Sequence, residues 1–124
     1  MNRLNKDVSK FRLDGQVALV TGSTRGIGWA IARGMAESGS TVYVNDRDKK
    51  VLAARCKNLI DLGYDAKPAF FDATNIEAIN RFLDYTETPI DILINNAAIR
   101  LRKPLNEISP KAFSEVLELS LIHI

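Results

Sequence analysis

A glycine-rich turn joins the first apolar segment of this chain to its first amphipathic segment. Residues 17–20 are apolar, residues 21–28 read Thr-Gly-Ser-Thr-Arg-Gly-Ile-Gly, and residues 29–38 have the spacing of an amphipathic helix. Glycines let a backbone turn tightly and approach a ligand, while the N–H groups and positive dipole end of the following helix favour negative charge. The order predicts a phosphate-binding segment, although a tight strand-to-helix connection without a ligand looks the same.

Strand-like and helix-like segments alternate along the rest of the chain. The patterns predict strands at 16–21, 41–45, 66–71 and 90–95, and helices at 27–38, 48–62, 75–85 and 109–118. This alternation indicates βαβ units that form a parallel sheet, and right-handed crossovers favour the strand order 3-2-1-4. The expected fold class is α/β, with residues 1–118 forming the N-terminal half of a doubly wound parallel Rossmann sheet, which is therefore incomplete.

The composition excludes several classes of function. The 124 residues carry a net charge of +2 with scattered lysines and arginines, so no basic patch suggests nucleic-acid binding. Residues 1–10 are polar rather than signal-like, and no segment has the apolar length of a membrane span. Cys56, the sole cysteine, is expected to be a packing residue. We expect a cytoplasmic protein whose partner is a small molecule, not nucleic acid or a membrane.

Charged residues follow the second and third predicted strands. Asp46 and Arg47 come just under twenty residues after Gly28. An acidic residue there accepts hydrogen bonds from ribose hydroxyls, and a basic one attracts a 2′-phosphate. Asp72 follows the third strand, and the carboxyl ends of parallel strands share one edge of the sheet. These side chains are expected near the turn; solvated loop charges, or a helix N-cap for Asp72, are the alternatives.

Two amides end the fourth predicted strand. Asn95-Asn96-Ala97-Ala98 resembles the Asn-Asn-Ala-Gly motif of the short-chain dehydrogenase/reductase family, and residues 21–28 resemble the cofactor turn of the same family. Ala98 stands where that family has glycine. Consecutive amides after a strand also have a structural use, because they can tie neighbouring backbone groups together.

The resemblance implies an NAD(P)-dependent oxidoreductase that interconverts a secondary alcohol and a ketone. It places the cofactor at the residues that match the family's motifs, which are Gly22, Ser23, Thr24, Arg25, Gly26, Ile27, Gly28, Asp46, Arg47, Asp72, Ala73, Asn95 and Ala97. Asp46 aligns with the acidic residue of NAD-preferring members, and Arg47 aligns with the basic residue of NADP-preferring ones. We expect a preference for NAD with tolerance of both, and no metal ligands are predicted.

Within the family, residues 11–104 are most similar to gluconate 5-dehydrogenases and 3-oxoacyl-carrier-protein reductases. Residues 99–104 resemble the basic stretch that follows the amide motif in the gluconate enzymes. Arg102, with Arg100 or Lys103, is therefore a candidate for binding the carboxylate of a sugar acid of the gluconate/5-ketogluconate type, because arginine binds carboxylates in bidentate fashion. A solvated basic loop is the alternative.

The family's Tyr-x-x-x-Lys pair, which moves the proton that accompanies hydride, has no match in this sequence. None of the three tyrosines has a lysine four positions later, since those positions hold Arg47, Pro68 and Pro89. The family's catalytic serine also belongs to a later strand. We expect the chain to be inactive alone and a homo-oligomer to be formed only by the intact parent; a non-catalytic dinucleotide-binding module is the alternative.

The last six residues, 119–124, depart from the family's pattern. Ser120 stands where the family has a proton-relaying asparagine after its fourth helix. The sequence Leu-Ser-Leu-Ile-His-Ile is similar to the translation of a transposase-end sequencing adapter. We expect the native frame to end near Glu118, which leaves His123 without a role; a natural short protein with an apolar tail is the alternative.

Overall fold

The computed structural model describes residues 9–98 and 104–120, which contain a parallel sheet with helices on both faces. The strands are β1 (Val17–Val20), β2 (Thr41–Asp46), β3 (Ala66–Phe70) and β4 (Ile92–Ile94). The α-helices are α1 (Gly26–Glu37), α2 (Lys49–Asp61), α3 (Ile76–Tyr85) and α4 (Pro110–Ser120). Short 3₁₀ turns lie at Ser9–Phe11 and Leu105–Glu107.

The strand order is β3-β2-β1-β4 and every neighbouring pair is parallel, which confirms the predicted half of a doubly wound sheet. Val20 pairs with Val44 and Ile94, so β1 ends beside the ends of both its neighbours. Asp46 pairs with Phe70 at the corresponding end of β3. The carboxyl ends of the four strands therefore meet along one edge, and the residues that follow them come together there.

An apolar cluster on each face of the sheet holds the helices in place. One cluster joins the strands to α1 and α2 through Val20, Val42, Val44, Ala32, Leu52 and Leu59. The other joins them to α3 through Leu19, Tyr43, Ala69, Phe71 and Ile79. All of β1 is buried because both faces of this central strand are covered. Cys56 lies in the first cluster, as expected of a packing residue, and burial raises the pKa of its thiol.

Two helices begin one residue later than predicted, because the residue predicted to start each helix is its side-chain N-cap. Asp48 is the N-cap of α2, and its carboxylate accepts hydrogen bonds from the N–H groups two and three residues later, at 2.9 and 3.3 Å. Asn75 is the N-cap of α3 and accepts from Ala78 N at 3.0 Å. The alternative interpretation of Asp72 as that N-cap is therefore wrong.

Two predicted features fall where the structure gives no description. Arg100, Arg102 and Lys103 lie outside the described residues, and so do positions 121–124 of the predicted tail. Within the described residues, no helix combines the length and the apolar character needed to cross a bilayer.

Candidate functional site

The glycine-rich turn follows β1 and is hydrogen-bonded to the strands on both sides of it. Thr21 N donates a hydrogen bond to the carbonyl of Ile94 on β4 at 3.0 Å. Gly22 N donates instead to the side-chain oxygen of Asn45 on β2 at 2.9 Å, and Ser23 N donates to the Asn45 carbonyl at 3.0 Å. The turn is therefore fixed to both neighbouring strands before α1 begins.

Two glycines of the turn have backbone angles that other residues rarely adopt. Gly22 has φ = 58° and Gly26 has φ = 59°. A Cβ on Gly22 would also lie 3.0 Å from Ala97 Cα, whereas a Cβ on Gly26 would have no heavy atom within 4 Å. Gly22 is packed against Ala97, whereas the space beside Gly26 is open.

Gly28 packs against the amide motif that follows β4. A Cβ at this position would overlap Asn96 Nδ2 and the carbonyl oxygen of Gly22. Asn96 Nδ2 donates to the carbonyls of Thr21 and Gly22 at 3.2 and 3.0 Å, and Thr21 Oγ1 accepts from Asn96 N at 3.0 Å. The expected tying role of the amides is confirmed for Asn96, whereas the neighbouring Asn95 is exposed.

Helix α1 begins without a side-chain cap. Its N-cap residue, Arg25, has an extended backbone with φ = −156° and ψ = 165°, and its side chain makes no hydrogen bond to the first turn. Arg25 and Ile27 are exposed at the surface of the turn. The first N–H groups of an α-helix have no partners within the helix, so those of α1 lie uncapped at the positive end of its dipole, next to the open space beside Gly26.

Ser23 and Thr24 direct their hydroxyl groups into the protein and are fully buried. Ser23 Oγ accepts a hydrogen bond from Asn45 N at 2.9 Å. Thr24 Oγ1 donates to one oxygen of the Asp46 carboxylate, whose other oxygen accepts from Asp48 N at 2.8 Å. The hydroxyl groups of these two predicted cofactor residues are therefore already hydrogen-bonded within the protein.

Arg55 reaches the turn from α2. Its Nε donates to the carbonyl of Thr24 at 2.7 Å, and its guanidinium carbon lies 4.5 Å from the centre of the Trp29 ring, a cation–π arrangement. Sequence reasoning missed Arg55 and Asn45 as site residues, because only the folded sheet brings them to the turn. The available signal was a polar side chain within an otherwise apolar pattern.

Asp72 and Ala73 follow β3 at the same edge of the sheet. Asp72 Oδ1 accepts hydrogen bonds from Thr74 N at 2.9 Å and from Thr74 Oγ1 at 2.7 Å. These two bonds, with a smaller contribution from the charge of Arg47, hold the pKa of Asp72 below its ordinary value. Asp72 is therefore an ionised hydrogen-bond acceptor at neutral pH, with the buried Ala73 beside it.

An open groove of about 1190 Å³ lies between α3 and the strands β2 and β3. Its lining includes Arg47 and Asp72 together with the aromatic rings of Tyr43, Phe71 and Phe82. Residues of the glycine-rich turn are not part of this lining. Of the predicted adenosine-binding residues, Arg47 and Asp72 thus border the groove, whereas Asp46 and Ala73, like the glycine-rich turn, are not part of its lining.

The carboxyl edge of the sheet offers three kinds of group to a ligand. The first N–H groups of α1 suit phosphate, the carboxylates of Asp46 and Asp72 suit hydroxyl and amino donors, and the cation of Arg47 suits a further phosphate. Dinucleotide-binding proteins with an open parallel sheet hold their ligand at the carboxyl ends of the strands, the edge at which these groups lie. The fold and the arrangement of the site are those of the Rossmann class.

Residues 16–123 match the family model described as short chain dehydrogenase, so the chain belongs to the short-chain dehydrogenase family. It is 40% identical over 110 residues to a gluconate 5-dehydrogenase from Gluconobacter oxydans (strain 621H), with 86% of this chain and 43% of that protein covered. It is 36% identical over 121 residues to a 2-dehydro-3-deoxy-D-gluconate 5-dehydrogenase from Formosa agariphila, with 93% and 45% covered.

A solved structure gives the same result. Gluconate 5-dehydrogenase from Burkholderia cenocepacia J2315, in complex with NADP and tartrate, is 39% identical and superposes with a TM-score of 0.82, covering 93% of this chain and 46% of that chain. The expected family resemblance and fold class are therefore confirmed. The chain spans less than half the length of each of these relatives.

Proposed function

We propose that this chain binds the ADP portion of NAD(P) at the glycine-rich turn. The observation that carries the proposal is the uncapped start of α1 beside Gly26, where an added Cβ would have no heavy atom within 4 Å. The N–H groups at this helix start would hold the pyrophosphate, whose negative charge the helix dipole favours. When bound, the nicotinamide end of the cofactor supplies or accepts hydride.

The residues at the other strand ends bind the adenosine in this proposal. Asp46 accepts hydrogen bonds from the ribose hydroxyls, and Asp72, with Ala73 beside it, accepts from the adenine amino group. Asn95 and Ala97 line the cofactor where β4 ends. The shared carboxyl edge and the ionised state of Asp72 support these roles.

We propose that both NAD and NADP are accepted. The Asp46 carboxylate favours NAD because it repels a 2′-phosphate, whereas the exposed cations of Arg25 and Arg47 attract one. The expected preference for NAD receives no support from the comparisons, because the solved Burkholderia relative is described with NADP. Opposed charges at one edge are consistent with tolerance of both cofactors.

We propose that the whole enzyme interconverts a secondary alcohol and a ketone of a sugar acid. The relatives from Gluconobacter and Formosa are named for gluconate or a deoxygluconate derivative. Arg100 and Arg102, outside the described residues, remain the candidates for binding the substrate carboxylate. Within these 124 residues no tyrosine is followed four positions later by lysine, so we infer that this chain binds cofactor without transferring hydride.

Titration of the chain with ADP, 2′,5′-ADP, NAD and NADP tests the binding proposal. Because the proposed contacts are all to the ADP portion, we expect ADP to bind about as tightly as NAD. Gly26→Val should abolish binding of all four ligands, because the new side chain would occupy the open space beside the helix start. A folded wild-type chain that binds none of them would contradict the proposal.

We also propose that residues 119–124 are derived from a sequencing adapter. Independent sequencing of the source locus tests this. A frame that continues past Glu118 with other residues and later encodes Tyr-x-x-x-Lys would support an enzyme fragment. An uninterrupted native frame with these codons and a stop codon would contradict it and favour a non-catalytic dinucleotide-binding module.

A further inference from the structure

Asn45 is a buried amide at the point where three strands end. Only 2% of its surface is accessible. Its Oδ1 accepts from Gly22 N at 2.9 Å, in the glycine-rich turn, and its Nδ2 donates to the carbonyls of Ala69 and Phe71 at 2.9 and 3.0 Å. Its backbone N–H and C=O are bonded to Ser23 Oγ and Ser23 N at 2.9 and 3.0 Å. One residue thus links the turn to β2 and to the end of β3.

The hydrogen bonds of the Asn45 side chain require an amide. Gly22 presents a donor, while Ala69 and Phe71 present two acceptors, so the side chain between them must accept on one side and donate twice on the other. A carboxylate would face two carbonyl oxygens without a proton to donate, and an aliphatic side chain would remove one acceptor and two donors from this buried site. Asparagine alone meets this requirement at this length.

We propose that Asn45 is a positioning residue for the cofactor turn. By holding the backbone at Gly22 and Ser23, it fixes the direction in which the chain enters α1, and therefore where the free N–H groups of the first helical turn point. The inference rests on the proposed binding of NAD(P) to that turn. Asn45 does not touch the cofactor; it acts through the two residues that it holds.

Four variants separate the proposed positioning role of Asn45 from the effects of added charge and of lost stability on binding. Asn45→Leu removes the hydrogen bonds without adding charge, and Asn45→Asp replaces the donors with an ionisable acceptor. Asn58→Asp makes the same charge change on an exposed face of α2. Leu59→Ala removes buried apolar atoms near the C-terminal end of α2 and should lower stability, and Leu59 makes none of the hydrogen bonds that hold the turn. Dissociation constants for NADPH are measured by calorimetry on the folded fraction, with unfolding curves recorded in parallel.

We expect Asn45→Leu to bind NADPH at least about tenfold more weakly at every pH, because the turn loses several buried hydrogen bonds. Asn45→Asp should be as weak at pH 8 and recover as the pH falls, since a protonated carboxyl can donate to one of the two carbonyls. The groups that contact this side chain do not titrate; the titratable neighbours at the strand ends are Asp46, Arg47 and Asp72. Asn58→Asp measures how much NADPH binding changes with pH through the titration of these neighbours alone.

Each result decides the inference. Binding by Asn45→Leu at wild-type strength, or a loss no greater than that of Leu59→Ala at equal folded fraction, would overturn the positioning role. Parallel pH profiles for Asn45→Asp and Asn58→Asp would also overturn it. No binding by a folded wild-type chain would instead overturn the proposed function, and the role of Asn45 with it.

Discussion

Helices α1 and α2 begin at the same edge of the sheet, yet their first turns are built in opposite ways. At α2, the Asp48 carboxylate accepts hydrogen bonds from two N–H groups of the first turn. At α1, Arg25 provides no such bond, and Gly26 leaves the adjoining space open. A side-chain cap contributes about 1 kcal/mol. The start of α1 therefore lacks a local stabilisation at the place where a phosphate is proposed to bind.

The two helix starts also differ in how the preceding chain is held. Before α2, the main bond is local, from Asp48 N to the Asp46 carboxylate two residues earlier. Before α1, the bonds are long-range, from Gly22 to Asn45 and from α2 to the carbonyl of Thr24. Contacts with distant segments can therefore fix a helix start while leaving its first N–H groups free for a ligand.

Gly28→Val should have the largest effect on the start of α1. The branched side chain would enter a space where even a Cβ overlaps Asn96 Nδ2 and the Gly22 carbonyl oxygen. We expect NADPH binding to disappear and the free energy of unfolding to fall by about 2–3 kcal/mol, as in overpacked cores. Calorimetric titration and urea unfolding measure the two effects.

Gly34→Ala is the matched control within the same helix, because its Cβ would have no heavy atom within 4 Å. We expect wild-type affinity and a gain in stability of about 0.5–1 kcal/mol, since alanine is the better helix former. Full binding by Gly28→Val, or loss of binding by Gly34→Ala, would show that the turn is not the site.

Installing a cap at α1 should make the two starts alike. In Arg25→Asp, a carboxylate takes an N-cap position whose extended backbone suits capping. We expect the free energy of unfolding to rise by about 0.5–1 kcal/mol. Affinity for NADPH should fall about tenfold or more, because the carboxylate bonds to the same N–H groups and repels the pyrophosphate. A stabilised variant with unchanged affinity would show that the pyrophosphate does not bind the first N–H groups of α1; Arg25→Gln controls for the lost positive charge.

Removing the cap of α2 should change stability alone. Asp48→Ala deletes the acceptor for the first turn of its own helix, so we expect the free energy of unfolding to fall by about 1 kcal/mol. The dissociation constant of NADPH should stay at the wild-type value. Thermal unfolding with and without NADPH measures both quantities, and a matching loss of affinity would show that the two helix starts are not independent.

The smallest effect is expected at the turn before α3. Hydrogen bonds from Thr74 lower the pKa of Asp72, so they stabilise the fold above the ordinary aspartate pKa of about 3.9, and this contribution is lost as the pH falls through the lowered pKa. Thr74→Val removes the hydroxyl donor and should raise that pKa. The stability difference from wild type should be constant near neutral pH and shrink in acid; a difference that grows in acid would contradict this account.

The elements and their order were predictable because they depend on local patterns. The apolar run at 17–20, the glycine-rich turn and the helical spacing after Asp48 each indicate their structure within a few residues. Strand order followed from the handedness of βαβ crossovers. That order also places Asp46 and Asp72 at one edge, as predicted.

The rest of the site depends on contacts between residues far apart in the chain. Nothing local shows that Asn45 meets Gly22, 23 residues earlier, or that Arg55 reaches the carbonyl of Thr24. The same holds for Thr24 Oγ1, which looks available in the motif but is bonded to Asp46. Motif spacing identified the segment where a ligand is proposed to bind, whereas only the folded sheet identifies the groups that hold that segment in place.

The first N–H groups of α1 are proposed to hold a phosphate, whereas those of α2 are capped by Asp48. Titration of the ¹⁵N-labelled chain with ADP, followed by amide NMR, distinguishes the two helix starts. We predict saturable chemical-shift changes that are largest at Arg25, Gly26, Ile27 and Gly28 and small at the capped first turn of α2. Equal changes at both helix starts, or none at α1 in a folded chain, would contradict the account.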